Sequence, residues 1–249
     1  MKIIAVTNRK GGSGKSTTSC ALTAGLTQQG KRVLCVDCDP QSNATMQLVG
    51  VPQGPTLYDV LTSNRSPAAR AIIDTLQGAL LPSDSRLATA GLLTGRGDET
   101  RLKRALEPLN HRFDYAIIDT PPNLGPIVIN ALSAADFALI PVNPDRFSAD
   151  ALRQTAATVA TIQRTTNPAL RILGAVVTMY NKRWTVHALQ VEQITTQAAA
   201  LGIKVYSPPI RSSPRVQEAQ FMGRSIYDLQ HNPAAEDYSA LTSQILADG

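Results

Sequence analysis

The chain has 249 residues, of which 43% are hydrophobic and 17% charged, and its 24 Lys and Arg against 19 Asp and Glu give a net charge of +5. This length fits a single α/β domain over residues 1–249 with a substantial core. No apolar run reaches about 18 residues, and no charged start followed by an apolar stretch resembles a signal peptide, so we expect a cytosolic protein.

Short apolar segments alternate with helical patterns along the chain. Residues 16–29, closed by Gly30, and residues 149–164 have helical spacing. Strands buried on both faces and separated by helices predict an α/β fold with a mostly parallel twisted sheet flanked by helices on both sides. In residues 52–97 Gly, Pro and Ser break up the periodicity, so the pattern assigns no helices or strands to this region. The predicted strands are "KIIAVTN", "KRVLCVD", "FDYAIID", "FALIPVN", "RILGAVVTMY" and "KVYSPPI".

The segment "TNRKGGSGKST" follows the first predicted strand and opens the first predicted helix. It ends like a P-loop, G-x-x-x-x-G-K-[ST], although Arg9 occupies the position of the first glycine. Backbone N–H groups of such a loop and the helix N-terminus form a cradle for phosphates. Lys15 is expected to reach the β/γ-phosphates and Ser16 to hold Mg²⁺. The predicted nucleotide-binding residues of this loop are Lys10, Gly11, Gly12, Ser13, Gly14, Lys15, Ser16 and Thr17.

Three aspartates follow predicted strands. Asp37 and Asp39 lie in "VDCDPQSN", and Asp119 ends "YAIID". Because carboxylates at the ends of neighbouring strands suit a Mg²⁺-nucleotide site, Asp119 is our candidate on the metal side. The alternative for any single Asp in such a position is a turn or a helix cap.

The three cysteines include one C-x-x-C, which is compatible with zinc or redox chemistry. Cys35 and Cys38 lie in a predicted buried strand, where an offset of three directs side chains to opposite faces. We therefore interpret these two and Cys20 as small core residues.

Several motifs in this order resemble the ParA/Soj group of deviant Walker A ATPases, relatives of MinD, over nearly the whole chain. The resemblance implies a P-loop NTPase that uses ATP and Mg²⁺ and forms an ATP-sandwiched homodimer. The motifs are "KGGSGKST", "VDCDPQSNAT", "RLKRALEPL", "FDYAIIDTPPNLGPIVINAL" and "IPV".

The resemblance also implies roles for individual residues. Lys10 reaches the partner's nucleotide while Lys15 serves its own, and without the resemblance Lys10 reads as an ordinary solvated charge. Asp39 is the catalytic carboxylate that positions the attacking water, and Asp37 joins Ser16 and Asp119 near Mg²⁺. The implied adenine contacts are Tyr180, Asn181, Pro209 and Ile210.

The chain departs from the family pattern after "IPV". Asn143 and Asp145 stand where the family has Gln and Glu, and Asp150 and Ala151 stand where it has Glu and Gly. The usual Ile-Pro-Arg near "PPIRSSPRVQEA" is displaced by one position.

Positive charge is concentrated in residues 171–224, which hold seven Lys or Arg against two Glu. The resemblance implies that part of this basic face binds double-stranded DNA without sequence preference, which phosphate contacts would explain. The predicted DNA-binding residues are Lys182, Arg183, Arg211, Arg215 and Arg224.

Three functions are compatible with the family. The first is a nucleoid-associated DNA-partitioning ATPase stimulated by a ParB-like partner, with positioning of other cargo such as protein assemblies as an alternative. The second is a MinD-like membrane ATPase, but the C-terminal segment has Tyr238, Leu241, Ile245 and Leu246 on one face beside acids only, so it predicts a docking helix and no membrane anchor. The third is a metal-cluster carrier, for which no cysteine follows Asp119.

Overall fold

The computed structural model describes residues 1–63, 67–92, 95 and 97–248, and it shows an α/β fold built on one eight-stranded sheet. The strands are β1 (Lys2–Val6), β2 (Val33–Asp37), β3 (Ile73–Thr75), β4 (Gly78–Leu81), β5 (Tyr115–Asp119), β6 (Phe137–Val142), β7 (Arg171–Val177) and β8 (Val205–Tyr206). The helices are α1 (Lys15–Gln28), α2 (Asn43–Leu48), α3 (Leu57–Thr62), α4 (Ala68–Ala71), α5 (Arg101–Leu106), α6 (Pro126–Ala134), α7 (Ser148–Thr165), α8 (Thr185–Ala200), α9 (Pro214–Phe221) and α10 (Pro233–Asp248).

The sheet has the strand order β3-β4-β2-β5-β1-β6-β7-β8. All neighbouring strands are parallel except β3 and β4, which are antiparallel. Because β1 lies between β5 and β6, the loop after β1 emerges near the middle of the carboxyl edge. This is where ligands bind in open α/β sheets.

The two faces of the sheet support separate layers of helices. Alternate residues of β1 show the division, since Ile3 and Ala5 join the core beneath α5, α6 and α7 while Ile4 and Val6 join the core beneath α1, α9 and α10. Burial on both faces explains the near-continuous apolar character of the central strands. The predicted fold class is confirmed.

Residues 52–97 contain regular elements that the sequence pattern did not predict. Helices α3 and α4, the hairpin of β3 and β4, and a 3₁₀ segment at Ser85–Leu92 all lie there. Each of the helices and strands is only three to six residues long. Such short elements contain too few residues for a periodic pattern of apolar positions to be recognised. The predicted strand at 204–210 is also shorter than expected, because Pro208 and Pro209 have no N–H to donate to the sheet.

The C-terminal helix α10 docks onto α1. Tyr238, Leu241 and Ile245 are each 2% exposed in the core between them, with Leu246 packed at its edge. The Tyr238 hydroxyl lies 3.0 Å from Thr18 Oγ1. The predicted docking role of this helix is confirmed. Among the described residues, no helix is long and apolar enough to cross a membrane.

Candidate nucleotide-binding site

The loop between β1 and α1 borders an open cavity of about 630 Å³. Gly12 and Gly14 have φ values of 68° and 80°, in the left-handed region that glycine adopts without strain. A Cβ on Gly11 or Gly12 would meet no atom within 4 Å, so the space in front of the loop is free. Helix α1 begins at Lys15, and its N-terminal N–H groups therefore face a cavity of nucleotide size.

Lys15 is buried at the base of this cavity. Its Nζ donates to the carbonyl oxygen of Lys10 at 3.0 Å, within the loop itself. Burial lowers the pKa of Lys15, while the nearby Asp119 and Asp39 carboxylates oppose that shift. A buried ammonium beside two carboxylates and a ring of N–H groups is suited to a phosphate group.

Two carboxylates meet at the carboxyl edge of the sheet beside the loop. Asp37 of β2 and Asp119 of β5 are register partners, and Asp119 is in turn paired with Val6 of β1. Burial raises the pKa of both carboxyls, and for Asp119 the charge of Asp37 raises it further. A site that concentrates negative charge in this way favours a cation.

The donor set of the site fits a Mg²⁺ ion held through oxygen. Asp119 Oδ1 accepts from Ser19 Oγ at 3.1 Å, whereas its buried Oδ2 has no partner within the described chain. The hydroxyls of Ser16 and Ser19 oppose the rise in the pKa of Asp119 that burial causes, so Ser16 lies near this carboxylate. Ser16 and Asp119 are therefore placed to hold the ion, directly or through water, as Mg²⁺ sites with few protein ligands require.

Asp37 is engaged differently. Its Oδ2 accepts from the backbone N–H and the hydroxyl of Thr45 at 2.8 and 2.7 Å, and its Oδ1 accepts from Asp39 N–H at 3.0 Å. These bonds tie the start of α2 to the end of β2. The metal role of Asp37 stays a prediction, and the structure gives this carboxylate a positioning role for Asp39.

Asp39 lines the same cavity as the P-loop. It is 5% exposed, its Oδ1 accepts from Gln41 N–H at 2.9 Å, and its carbonyl oxygen accepts from Ser83 Oγ at 2.7 Å. Because both the side chain and the backbone are held, the carboxylate has a fixed direction. This arrangement is suited to orienting a water molecule.

Lys10 points away from its own cavity. Its carbonyl oxygen faces Lys15, but its Nζ forms an ion pair with Asp145 in the loop between β6 and α7. Partial burial opposes ionisation of Asp145, yet its bonds with Lys10 and Ser148 leave its pKa below the usual value.

A smaller cavity of about 190 Å³ adjoins the P-loop on the side of β7 and α9. Ile210 lines it, as do Thr178 and Met179, whereas the described lining residues do not include Tyr180, Asn181 or Pro209. The Tyr180 N–H donates to Ile210 O at 2.9 Å, so these segments lie side by side.

Sequence reasoning missed several residues of the site. Met179 adopts a φ of 55°, which is unusual for a side chain of this size and marks a strained position at the cavity. Gln220 Nε2 donates to Thr17 Oγ1 at 3.0 Å, linking α9 to the P-loop. Phe221 is 94% exposed at the rim. No pattern in the sequence pointed to Met179, Gln220 or Phe221 as residues of the site, since Met179 lies within the predicted strand "RILGAVVTMY".

The five predicted DNA-binding residues have different environments. Lys182 and Arg183 are exposed, Arg215 pairs with Glu218, and Arg224 lies 3.9 Å from Asp228. Arg211 instead donates to Asp237, Glu236 and the carbonyl oxygen of Pro233. We do not retain the DNA role of Arg211, because its guanidinium anchors α10.

The cysteines lie in the core as predicted. Cys20, Cys35 and Cys38 are free and buried, with Cys35 and Cys38 in different core clusters. The described part of the chain contains no group of three or more His, Cys, Asp or Glu side chains that could hold a metal ion.

Comparison with known proteins shows which family this chain belongs to. An AAA domain family matches residues 1–172. The sporulation initiation inhibitor protein Soj of Bacillus subtilis (strain 168) is 38% identical, with 100% of this chain and 99% of Soj covered. The chromosome-partitioning ATPase Soj of Thermus thermophilus is 36% identical, with 98% and 95% covered.

A solved structure of cobyrinic acid a,c-diamide synthase from Mycobacterium smegmatis, with a bound ATP analogue and magnesium, superimposes with a TM-score of 0.85. It is 33% identical, and 99% of this chain and 94% of that chain are covered. Full-length similarity to two Soj proteins, together with the P-loop and its carboxylates, shows that this chain belongs to the ParA/Soj family of partition ATPases.

Proposed function

We propose that this protein is an ATP-dependent DNA partition ATPase. ATP and Mg²⁺ join two copies of the chain, and the dimer binds double-stranded DNA without sequence preference. A ParB-like partner then stimulates hydrolysis, and the dimer leaves the DNA. The observation that carries the proposal is the pair of lysines on one P-loop, with Lys15 turned into the cavity and Lys10 turned out of it.

The ATPase chemistry rests on residues with distinct roles. Lys15 and the loop N–H groups bind the phosphates, and Ser16 and Asp119 hold Mg²⁺, which supplies charge neutralisation at the transferred phosphoryl group. Asp39 orients the attacking water. Lys10 of the second copy adds a further positive charge at the γ-phosphate, beside Lys15 and Mg²⁺. Turnover therefore depends on dimer formation.

DNA binding is supported by the way two basic segments meet. Tyr180 N–H donates to Ile210 O at 2.9 Å and Ser212 N–H donates to Tyr180 O at 2.8 Å, which joins the loop carrying Lys182 and Arg183 to the loop before Arg215. Side chains from two distant parts of the chain thus contribute to one basic surface, and Arg224 follows the C-terminal end of α9. Each contact is to a phosphate, so no base sequence is preferred.

The proposed site of action is the cytoplasm, on nucleoid DNA. The MinD-like alternative needs a C-terminal helix free to enter a membrane surface, whereas the apolar face of α10 is buried against α1. The ParB-like partner, which recognises the cargo, determines what the ATPase moves.

The Asp39→Ala variant tests the proposal. Loss of the water-positioning carboxylate should slow ATP hydrolysis by about 10²- to 10⁴-fold while leaving ATP binding and dimer formation intact. Sedimentation with ATP, ADP or no nucleotide, with and without random-sequence duplex, should show a long-lived dimer on DNA only with ATP.

The matched control is Asp74→Ala, which removes an exposed carboxylate of β3 and should behave like the wild type. Hydrolysis by Asp39→Ala at the wild-type rate would place the catalytic role elsewhere. An ATP-bound wild-type dimer with no affinity for DNA would favour positioning of another cargo.

A further inference from the structure

The side chain of Lys10 is held by an acceptor that its own chain prepares. Asp145 Oδ2 accepts from Lys10 Nζ and from Asn143 Nδ2, the latter at 2.6 Å. Its Oδ1 accepts from Phe147 N–H at 3.0 Å and from Ser148 Oγ at 2.9 Å. Three donors of the same loop thus fix the carboxylate before Lys10 arrives, which makes the ion pair more than a chance contact of two mobile side chains.

The backbone of Lys10 is held as firmly as its ammonium group. Its N–H donates to Asn8 Oδ1 at 2.9 Å, and Asn8 Nδ2 donates to Pro141 O at 2.7 Å, near the end of β6. Because β6 also leads into the Asp145 loop, the P-loop and that loop form one connected unit. The Lys10 side chain is therefore held against Asp145 of its own protomer and is only 26% exposed.

This position conflicts with use of Lys10 by a second copy of the chain. An ammonium group that neutralises a partner's γ-phosphate has to leave Asp145 first, because phosphate and carboxylate oxygens compete for the same donors. We propose that Asp145 is a positioning residue that retains Lys10 within the free protomer and so opposes ATP-dependent dimer formation. This inference rests on the function proposed above.

The Asp145→Asn variant tests the restraint. The amide keeps an oxygen for Phe147 N–H and Ser148 Oγ, so two of the three loop bonds are retained. Its N–H₂ group replaces the oxygen that accepts from Asn143 and Lys10, so the charge that holds Lys10 is lost. We expect Lys10 of the nucleotide-free variant to be acetylated faster than Lys10 of the wild type by the N-hydroxysuccinimide ester of acetic acid. Mass spectrometry of the peptide that contains Lys10 measures this rate. With ATP the variant should dimerise at a protein concentration about two- to five-fold lower than the wild type, the range for a partly exposed ion pair.

Two further variants make the experiment specific. Asp150→Asn neutralises a carboxylate of α7 that pairs with Arg153, and it should change neither readout. In the Lys10→Ala background, Asp145→Asn should not restore the ATP-dependent dimer, because the group it releases is absent.

Equal acetylation of Lys10 in Asp145→Asn and wild type would overturn the restraint. So would faster acetylation with an unchanged or weaker dimer, since Asp145 would then support Lys10 in its cross-subunit position. A wild type that never dimerises with ATP would contradict the proposed function and the effect on dimerisation together, while the acetylation rates would still decide whether Asp145 retains Lys10.

Discussion

At the residue scale, the two lysines of the P-loop differ in what surrounds them. Lys15 is 6% exposed and lies between the loop and the buried Asp119 and Asp39 carboxylates. Lys10 is bound to a carboxylate of another loop, outside the cavity. This difference supports the proposal that Lys15 binds the phosphates of its own site and that Lys10 acts on the nucleotide of a second copy.

Alanine variants should separate these two roles. Lys15→Ala removes a charge-assisted bond to phosphate and should weaken ATP binding by at least about tenfold. Lys10→Ala should bind ATP with wild-type affinity but fail to form a stable dimer or turn over. Titration calorimetry with ATP and analytical ultracentrifugation measure the two properties separately.

Lys2→Ala serves as the control, because this lysine lies at the other end of β1, beside Tyr115. An ATP-driven dimer of Lys10→Ala as stable as that of the wild type would show that Lys10 has no cross-subunit role.

Sequence reasoning located the residues that lie directly after strands. The P-loop was identified by its motif, and the positions of Asp119 and Asp39 beside it follow from the rule that parallel strands present their carboxyl ends at one edge. It did not locate the partner of Lys10 or the unpaired oxygen of Asp119, because both depend on side-chain directions and on loops that meet only in the folded chain. The left-handed backbone of Met179 is set by its neighbours in space and carries no pattern in the sequence.

At the element scale, the packing of α10 on α1 depends on a small residue. A Cβ added at Gly25 of α1 would lie 2.7 Å from Thr242 Oγ1 and 2.7 Å from the Tyr227 hydroxyl. Both groups are held, since Thr242 Oγ1 donates to Tyr238 O at 2.8 Å and the Tyr227 hydroxyl donates to Ala21 O at 3.2 Å. The helix therefore carries glycine where a larger residue would separate the two elements.

Gly25→Ala should destabilise the protein although alanine favours helices by about 1 kcal/mol relative to glycine. Overpacking of a close contact costs about 1 to 3 kcal/mol, and we expect a net loss of stability. Urea unfolding followed by circular dichroism measures it. Gly54→Ala, at a position where an added Cβ meets no atom, should leave the midpoint unchanged. A higher midpoint for Gly25→Ala would mean that α10 moves aside without loss.

The accuracy of the predicted elements follows their length and periodicity. The six predicted strands and the helices at 16–29 and 149–164 are all present, because long apolar runs and regular spacing identify them. The hairpin of β3 and β4 is three and four residues long, and it is stabilised by pairing of β4 with β2, a tertiary contact that local sequence does not encode.

At the scale of the whole molecule, charge and assembly act together. The loop that carries Lys182 and Arg183 adjoins the loop before Arg215 through the backbone bonds of Tyr180. One such patch neutralises few phosphates, and a dimer presents two. Affinity for DNA should therefore depend on ATP and fall steeply with salt, since each neutralised phosphate releases condensed counterions.

The variants Arg183→Glu and Arg215→Glu should bind DNA more weakly without losing the ATP-dependent dimer. Each should retain ATP-driven dimerisation, because neither residue lines the nucleotide cavity, and each should lose one phosphate contact per protomer. The slope of log affinity against log salt for random-sequence duplex should therefore fall by about two in each variant dimer, with weaker binding at every salt concentration. Fluorescence anisotropy of labelled duplex over a salt series, with ATP and with ADP, measures both the affinity and the slope.

The control is Lys103→Glu, which makes the same charge change at an exposed position of α5, the helix that packs on α6. This variant should bind DNA nearly as the wild type does. Wild-type slopes for both arginine variants would show that DNA, if bound, contacts another face of the dimer.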